Sequence, residues 1–224
     1  MSYSQKNKAA VHPDQVAVKS MINSIKHYCD NLVKEFQFIP KERRDILDKI
    51  SQYIIQKQKN NKPINLVYIC THNSRRSHFG QVWAHVASYY YNIQNVNTFS
   101  GGTEATAFNV NAINALKRIG FIIKPINIEK NTTYHVFHDE NETPSVCLSK
   151  TYDDSKNPQK EFAAIMTCSD AEENCPFIPG VELRIGTTYD DPKAFDNTPQ
   201  QDEKYDERCR QIALETFYTF SQLK

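Results

Sequence analysis

The chain lacks the features that mark exported, membrane-spanning or nucleic-acid-binding proteins. No apolar run approaches the roughly 20 residues needed to cross a bilayer. The first eight residues, MSYSQKNK, are polar and include no hydrophobic segment typical of a signal peptide. The 27 Lys and Arg residues almost balance 26 Asp and Glu residues, so the net charge of +1 favours neither nucleic acid nor a membrane surface.

Cysteine is also scarce. Six cysteines among 224 residues are too few for a disulfide scaffold, and without an export signal we expect reduced thiols in a cytoplasmic protein. Any disulfide that forms is then expected to be transient and catalytic. The length suffices for one sizeable α/β domain plus an extension.

Residues 1–63 have the pattern of a helical extension. From about His12 to Phe36, apolar residues recur at three- and four-residue steps. Pro40 suits the first turn of a second helix, whose apolar stripe ends near Ile54. This helical pair presents no chemical groups in a useful arrangement, so we interpret it as a packing or association element with Cys29 in its core.

Residues 64–224 alternate between strands and helices, which predicts parallel strands joined by right-handed crossovers. Ligands of such sheets bind beyond the carboxyl ends of the strands. A β-hairpin is expected near residues 132–150. The predicted strands are residues 64–69, 96–99, 162–167 and about 183–186, and the predicted helices start near residues 77, 109 and 201.

The stretch CTHNSRRS, residues 70–77, joins the first buried strand to the helix that follows it. Such a junction gathers free backbone N–H groups at the positive end of a helix dipole, which binds tetrahedral oxyanions. The same field and Arg76 stabilise a thiolate at Cys70. The loop therefore predicts attack by a thiolate on a bound oxyanion, although a lone cysteine at a strand end is usually a small buried residue.

Two further cysteines and an acidic pair follow in the C-terminal third. Cys168 ends the strand at residues 162–167, and Cys175 precedes Pro176. The two are either packed thiols or a redox pair, because a six-residue gap with no companion Cys or His pair does not match zinc spacing. We predict no metal site. Asp190 and Asp191 precede a proline and compete for a proton-donor role.

The motif Cys70-x5-Arg76-Ser77, together with Asp191-Pro192, resembles the low-molecular-weight protein tyrosine phosphatases. The stretch CSDAEENCP, residues 168–176, is similar to the thioredoxin-coupled arsenate reductases, which share that fold. The resemblance covers about residues 64–222 and is strongest to a branch with a long N-terminal extension. It implies a three-layer α/β sandwich around a four-stranded parallel sheet, with an N-terminal helical pair and a hairpin insertion.

The resemblance assigns roles to residues of the loop. Cys70 is the expected nucleophile, Arg76 clamps the oxyanion with two parallel hydrogen bonds, and Ser77 hydrogen-bonds the thiolate. Asp191 is expected to protonate the leaving oxygen and later to activate water. The remaining residues expected to bind the oxyanion or support the loop are Thr71, His72, Asn73, Ser74, Arg75 and Ser100, with Asn73 and Ser100 holding the loop conformation.

In the reductase interpretation, Cys70 forms an arsenic adduct, Cys168 attacks it, and Cys175 then attacks Cys168. Thioredoxin, as external reductant, regenerates the thiols. No cofactor is expected to be bound.

Three residues depart from the family pattern. His72 stands where a small residue such as Gly is usual, and Arg75 replaces a second loop cysteine found in many members. Gln81 stands where some reductases have a Glu that helps to hold a potassium ion, which argues against that cation site.

Three functions follow from these residues. Cys168 and Cys175 favour an arsenate reductase with a Cys70–Cys168–Cys175 relay, whereas Cys70, Arg76 and Asp191 alone suffice for a tyrosine phosphatase acting on phosphotyrosine. The third is a non-catalytic oxyanion-binding module that associates through its N-terminal helices. Phosphate or arsenate is the expected ligand, and the oligomeric state stays open.

Overall fold

The computed structural model describes residues 21–174 and 177–223, so the predicted helical residues 12–20 and Cys175 lie outside the described part. Within that part the helices are α1 Asn23–Val33, α2 Lys41–Lys59, α3 Arg76–Tyr90, α4 Val110–Ile119, α5 Ser169–Asn174 and α6 Gln201–Ser221. The strands are β1 Ile64–Cys70, β2 Val96–Gly102, β3 Ile122–Pro125, β4 Tyr134–Phe137, β5 Ser145–Cys147, β6 Phe162–Met166 and β7 Val181–Gly186. No helix of the described residues is both long and apolar enough to span a membrane.

The described strands β2, β1, β6 and β7 lie in that order in one sheet, and every neighbouring pair is parallel. Cys70 lies opposite Gly102 of β2, and Met166 of β6 lies opposite both Ile69 and Gly186. The predicted four-stranded parallel sheet is therefore confirmed. Its carboxyl ends meet at one edge, where the loop after β1 also lies.

Helices cover the two faces of this sheet unequally. Leu66, Tyr68 and Ile165 point into the larger core, where α3 and α6 pack on the sheet around Trp83 and Phe217. The opposite face is packed by the short helix α5 and by apolar side chains near it. That smaller cluster consists of Val67, Ile69, Cys70, Phe162, Ala164, Met166, Cys168, Ala171 and Ile178.

The N-terminal helices share the larger core. Ile25, Cys29 and Leu32 of α1 are fully buried, and α1 and α2 both pack against α6. Ile54 of α2 joins the same cluster. The expected packing role of this pair agrees with these contacts, while a domain boundary at residue 63 stays a prediction.

A second, antiparallel sheet in the order β3-β4-β5 lies beside the first. Its β4–β5 pair is the expected hairpin, and Gln81 of α3 donates to the Val146 carbonyl at 2.9 Å to attach it. Sequence analysis missed β3, because its four residues are half-buried or exposed and show no clear alternation.

Both ends of α4 match their sequence signals. The Asn109 side chain accepts hydrogen bonds from the backbone N–H groups of Asn111 and Ala112, as an N-cap does. Gly120 ends the helix at φ +118°, a left-handed conformation in which glycine is unstrained.

Gly80 lets α3 pack closely on β1. A Cβ at this position would overlap the Tyr68 ring and lie 2.6 Å from its Cγ, a distance that real contacts do not reach. Tyr68 is itself buried and cannot move without displacing the core.

We predict that Gly80→Ala lowers the free energy of unfolding by about 1–3 kcal/mol. Overpacking should outweigh the roughly 1 kcal/mol that alanine gains over glycine in a helix. Urea denaturation measures the change. In a Tyr68→Ala background the same substitution should cost much less, because the overlapping ring is gone; equal costs in both backgrounds would contradict this explanation.

Candidate active site

The loop between β1 and α3 carries the residues of the Cys70-x5-Arg76 motif. Cys70 is the last residue of β1, and Arg76 is the first residue of α3. Asn73 has φ +43°, a left-handed conformation that Asn tolerates better than most residues. The turn brings the first backbone N–H groups of α3 back towards the strand end.

The Cys70 thiol lies inside this loop with 3 % of the residue exposed. Its Sγ is 3.1 Å from the Ser77 hydroxyl oxygen, which in turn accepts a hydrogen bond of 2.9 Å from Asn73 Nδ2. Because the Ser77 oxygen accepts from Asn73, the Ser77 hydroxyl hydrogen is available to the sulfur. This geometry suits a thiolate, which accepts that hydrogen.

Asn73 is held by Lys150 rather than by Ser100. Its Oδ1 accepts a hydrogen bond of 2.8 Å from the Lys150 backbone N–H, and the Lys150 ammonium donates to the Ser100 carbonyl at 2.8 Å. The Ser100 hydroxyl is 3.2 Å from His78 Nδ1 instead. Lys150, in the segment after β5, thus connects Asn73 to the Ser100 carbonyl, and the support of the loop by these two residues stays a prediction.

Lys150 places a buried cationic side chain behind the loop. Burial lowers the pKa of Lys150 to about 8. Burial, with the Lys150 charge adding to it, lowers the pKa of the neighbouring His78 to about 3, so His78 is neutral at neutral pH. Sequence analysis missed Lys150, since a lysine after a hairpin has no local signal for burial.

Arg76 and Asp191 meet directly. Arg76 Nη2 donates to Asp191 Oδ2 at 2.6 Å, and Arg76 Nη1 donates to the Tyr189 carbonyl at 2.8 Å. Asp191 Oδ1 accepts from the Lys193 backbone N–H at 3.0 Å and caps a short 3₁₀ turn. The structure thus brings the loop and Asp191 together, 115 residues apart in sequence. Both Arg76 Nη atoms are therefore engaged, while Arg76 Nε is buried without a hydrogen-bond partner among the described residues.

Asp190 is placed differently from its neighbour. Its side chain is 97 % exposed, and its oxygen lies 3.5 Å from Arg208. Asp191 is therefore the better placed of the two for proton transfer in the loop.

Arg75 supports the loop instead of facing the oxyanion site. Arg75 Nε donates to the Tyr205 hydroxyl at 2.7 Å, and its Nη2 donates to Asp196 at 3.3 Å, with 10 % of the side chain exposed. These bonds anchor the loop to α6.

The other loop side chains are also engaged by their surroundings. Ser74 Oγ donates to the Ala107 carbonyl at 2.8 Å. His72 is half-exposed and lies 3.7 Å from Glu104, while its carbonyl accepts from the Ser149 hydroxyl. Backbone support for the loop therefore comes from the segments after β2 and β5.

Cys168 lies beside the loop at the end of the adjacent strand. Its Sγ is 3.4 Å from Thr71 Oγ1 and accepts from the Ala171 N–H at 3.4 Å, with 1 % of the residue exposed. The β1–β6 register ends with Ile69 opposite Met166, so Cys70 and Cys168 both follow this last pair at the same edge of the sheet.

The remaining described cysteines are buried in the larger core. Cys29, Cys147 and Cys209 are free thiols, and burial raises the pKa of Cys147 and of Cys209 to about 12. Burial likewise raises the pKa of Cys29. These thiols stay protonated at neutral pH and cannot act as nucleophiles.

No cation site is evident at Gln81, whose amide nitrogen is bound to the Val146 carbonyl. Among the residues that the structure describes, no group of three or more His, Cys, Asp or Glu side chains is gathered as metal ligands. The expectation of no metal stays a prediction.

Comparison with curated proteins gives arsenate reductases as relatives. No family model matches the chain. An arsenate reductase of Brevibacillus brevis is 31 % identical over 127 residues, covering 57 % of this chain and 75 % of the relative. An arsenate reductase of Halalkalibacterium halodurans is 25 % identical over 157 residues, covering 70 % and 94 %, and one of Bacillus subtilis is 26 % identical over 145 residues, covering 65 % and 86 %.

Solved structures give similar matches at lower identity. A low-molecular-weight protein tyrosine phosphatase from T. tengcongensis matches with a TM-score of 0.49 and 12 % identity, covering 71 % of this chain and 99 % of that chain. An arsenate reductase in a phosphate-binding state matches with a TM-score of 0.46 and 13 % identity, covering 72 % and 99 %.

We predict that Lys150 makes stability depend on pH. Below pH 8 both the folded and the unfolded state carry its charge, so the cost of burying that charge is fully present. Between about 8 and the ordinary value of 10.5 the folded state releases the proton while the unfolded state keeps it, so stability rises with pH. From pH 8 to 10, the wild type should gain about 2 kcal/mol relative to Lys150→Met.

Urea denaturation at pH 7, 8, 9 and 10 measures this difference. Lys160→Met is the matched control, since Lys160 is exposed and should leave the slope of the wild type unchanged. If the free energy of unfolding changes with pH equally in wild type and Lys150→Met, the lowered pKa of Lys150 is contradicted.

Proposed function

Because the chain belongs to the arsenate reductase-like branch of the low-molecular-weight phosphatase superfamily, we propose that it reduces arsenate to arsenite through Cys70, Cys168 and Cys175. The family makes it a cysteine-based enzyme, an arsenate reductase or a phosphatase, acting on a tetrahedral oxyanion. The hypothesis of a non-catalytic binding module therefore loses its support.

The observation that favours reduction is the position of Cys168. Its sulfur contacts Thr71, the residue next to Cys70, and both cysteines belong to one apolar cluster. Hydrolysis of a phosphate ester needs Cys70, Arg76 and Asp191 but has no use for a second thiol at this point. Reduction requires one, because two electrons have to reach arsenic.

In the first step the loop N–H groups and Arg76 bind arsenate, and the Cys70 thiolate attacks arsenic. An S–As bond forms while an As–O bond breaks, and Asp191 donates a proton so that the oxygen leaves as water. Ser77 stabilises the thiolate before the attack through its hydroxyl. Arsenic remains in its pentavalent state in this adduct.

In the second step the Cys168 thiolate attacks the sulfur of Cys70. The S–As bond breaks and its electron pair stays on arsenic, which leaves as trivalent arsenite, and a Cys70–Cys168 disulfide forms. Cys175, which lies outside the described residues, then attacks Cys168 and releases the Cys70 thiolate.

An external dithiol closes the cycle. We assign this role to thioredoxin, which would reduce the Cys168–Cys175 disulfide by the same exchange chemistry. The cycle requires a compartment that supplies reduced thiols, so we place the reaction in the cytoplasm. The protein itself needs no bound cofactor for these steps.

Hydrolysis of phosphomonoesters, including phosphotyrosine, is the second candidate. It is favoured by the direct contact between Arg76 and Asp191, which joins an oxyanion clamp to a proton donor. Cys70 would form a phosphocysteine, and water activated by Asp191 would hydrolyse it.

We predict that Cys168→Ser abolishes multiple-turnover, thioredoxin-coupled arsenate reduction and retains at least about half of the aryl phosphate hydrolysis. The serine hydroxyl is nearly isosteric with the thiol but cannot form the disulfide that releases arsenite. Spectrophotometric assays of reductant consumption and of p-nitrophenyl phosphate cleavage measure the two reactions. Cys29→Ala, which removes a thiol buried in α1, is the control and should retain both.

Reduction by Cys168→Ser at the wild-type rate would refute the relay. If wild type and variant hydrolyse aryl phosphates but neither consumes reductant with arsenate, the second candidate function replaces the first.

We further predict that Asp191→Asn slows hydrolysis of phenyl phosphate by about 10²–10⁴-fold and that of p-nitrophenyl phosphate distinctly less. Phenolate is a poor leaving group that needs a proton, whereas p-nitrophenolate leaves readily without one. Steady-state rates on both substrates test this, with Asp190→Asn as control. Equal losses on both substrates would show that Asp191 is not the proton donor.

A further inference from the structure

Arg43 of α2 reaches from the N-terminal extension to the segment that carries Asp191. Its Nη2 donates to the Thr187 carbonyl at 2.7 Å, and its Nε and Nη2 donate to Glu215 Oε2 at 2.9 and 2.7 Å. Only 18 % of the Arg43 side chain and 6 % of that of Glu215 are exposed. The contact is thus a largely buried ion pair between the extension and α6, with an additional bond to the backbone after β7.

Tyr189 connects this ion pair to the catalytic loop. The Arg43 guanidinium lies 4.8 Å from the centre of the Tyr189 ring, and the Tyr189 hydroxyl donates to Glu215 Oε2 at 2.7 Å. The Tyr189 carbonyl accepts the 2.8 Å hydrogen bond from Arg76 Nη1. Burial, with the Glu215 charge adding to it, raises the pKa of Tyr189 well above its ordinary value, so its hydroxyl stays a donor.

The segment from Thr187 to Asp191 is held from two sides. On the sheet side, the Thr187 N–H donates to the Met166 carbonyl at 2.8 Å, and the Tyr189 N–H donates to the Thr167 carbonyl at 3.1 Å. On the other side, Arg43 holds the Thr187 carbonyl and covers the Tyr189 ring. Removing the guanidinium would leave one side of this segment unsupported and the Glu215 carboxylate without its cation.

We propose that Arg43 is a positioning residue of the active site, which aligns Asp191 by fixing the segment between Thr187 and Asp191. The proposal rests on the proton-donor role assigned to Asp191 under the proposed function. It also changes the interpretation of the extension, which sequence analysis took for a packing or association element without useful chemical groups. Through Arg43, α2 supplies part of the support for catalysis.

The test uses the full chain with Arg43→Met and Arg43→Lys. Methionine fills the space of the side chain without its charge, and lysine keeps the charge but cannot make the paired hydrogen bonds to Glu215 and Thr187. We expect both variants to lower kcat for phenyl phosphate by about tenfold or more, as a small misplacement of a reacting group does. KM should change less than about threefold, because the loop N–H groups that bind the oxyanion stay in place.

The matched control is Asp48→Asn. Asp48 also lies on α2 and accepts a 3.0 Å hydrogen bond from Tyr218 of α6. Asparagine keeps the acceptor oxygen but removes its charge, which weakens this contact between the same two helices away from Thr187. It should leave kcat unchanged. A loss of kcat in Asp48→Asn equal to that in Arg43→Met would overturn the proposal, since it would trace the effect to general packing of α2.

The decisive measurement combines Arg43→Met with Asp191→Asn. If Arg43 acts by aligning Asp191, its substitution should cost clearly less on phenyl phosphate in the Asp191→Asn background than in the wild type. Equal costs in both backgrounds, or no cost in either, would overturn the proposal. Arg43→Lys gives the same comparison if Arg43→Met does not fold.

A different set of results is expected if Asp191 is not the proton donor. If Asp191→Asn alone affects phenyl and p-nitrophenyl phosphate equally, the proton-donor role fails whatever Arg43 does. If Asp191→Asn shows the leaving-group dependence and Arg43→Met behaves like the Asp48→Asn control, only the positioning role fails.

Discussion

Parallel pairing of the four central strands is the constraint on which the rest of the structure depends. Since all four run the same way, their carboxyl ends meet at one edge, and each chemically active segment follows one of those ends. Cys70 ends β1, Cys168 comes two residues after β6, and Asp191 comes five residues after β7. The backbone hydrogen bonds of the sheet thereby hold Cys70, Cys168 and Asp191 at one edge of the sheet.

The described cysteines fall into two groups by their place in the fold. Cys29, Cys147 and Cys209 are surrounded by core side chains, and burial raises their pKa values, so they remain neutral thiols. Cys70 and Cys168 are buried to a similar extent, but they lie at the carboxyl ends of β1 and β6, where Ser77 and Thr71 are beside their sulfurs. A nearby donor does not distinguish the two groups, because Cys209 Sγ also accepts a 3.2 Å hydrogen bond from Trp83 Nε1. Position beside the loop distinguishes the two thiols that we propose to be reactive.

The sequence was sufficient for the parts of the fold that have a strong local signal. The runs INLVYIC and FAAIM predicted β1 and β6, and the caps Asn109 and Gly120 set the ends of α4. The sequence did not predict the buried polar residues whose hydrogen-bond partners lie far away in the chain. Lys150 meets Asn73 across 77 residues, and Arg43 meets Glu215 across 172, so neither partner could be inferred from spacing. Both are polar residues that a local pattern places at the surface, and tertiary packing buries them.

These distant contacts also explain why the loop alone does not determine the reaction. Reduction and hydrolysis both require an oxyanion site and a nucleophilic cysteine, and we propose that the loop supplies both. In this proposal Cys168 would add a path for electrons and Asp191 a proton donor, and the two approach the loop from different strands. Arg43 of α2 and Glu215 of α6 support the segment that carries Asp191. Cys168 is instead held at the end of β6 by the N–H of Ala171 in α5. Because the proposed steps of reduction and of hydrolysis both use Asp191, a change at Arg43 in the N-terminal extension should lower both activities, whereas a change at Cys168 should lower reduction alone.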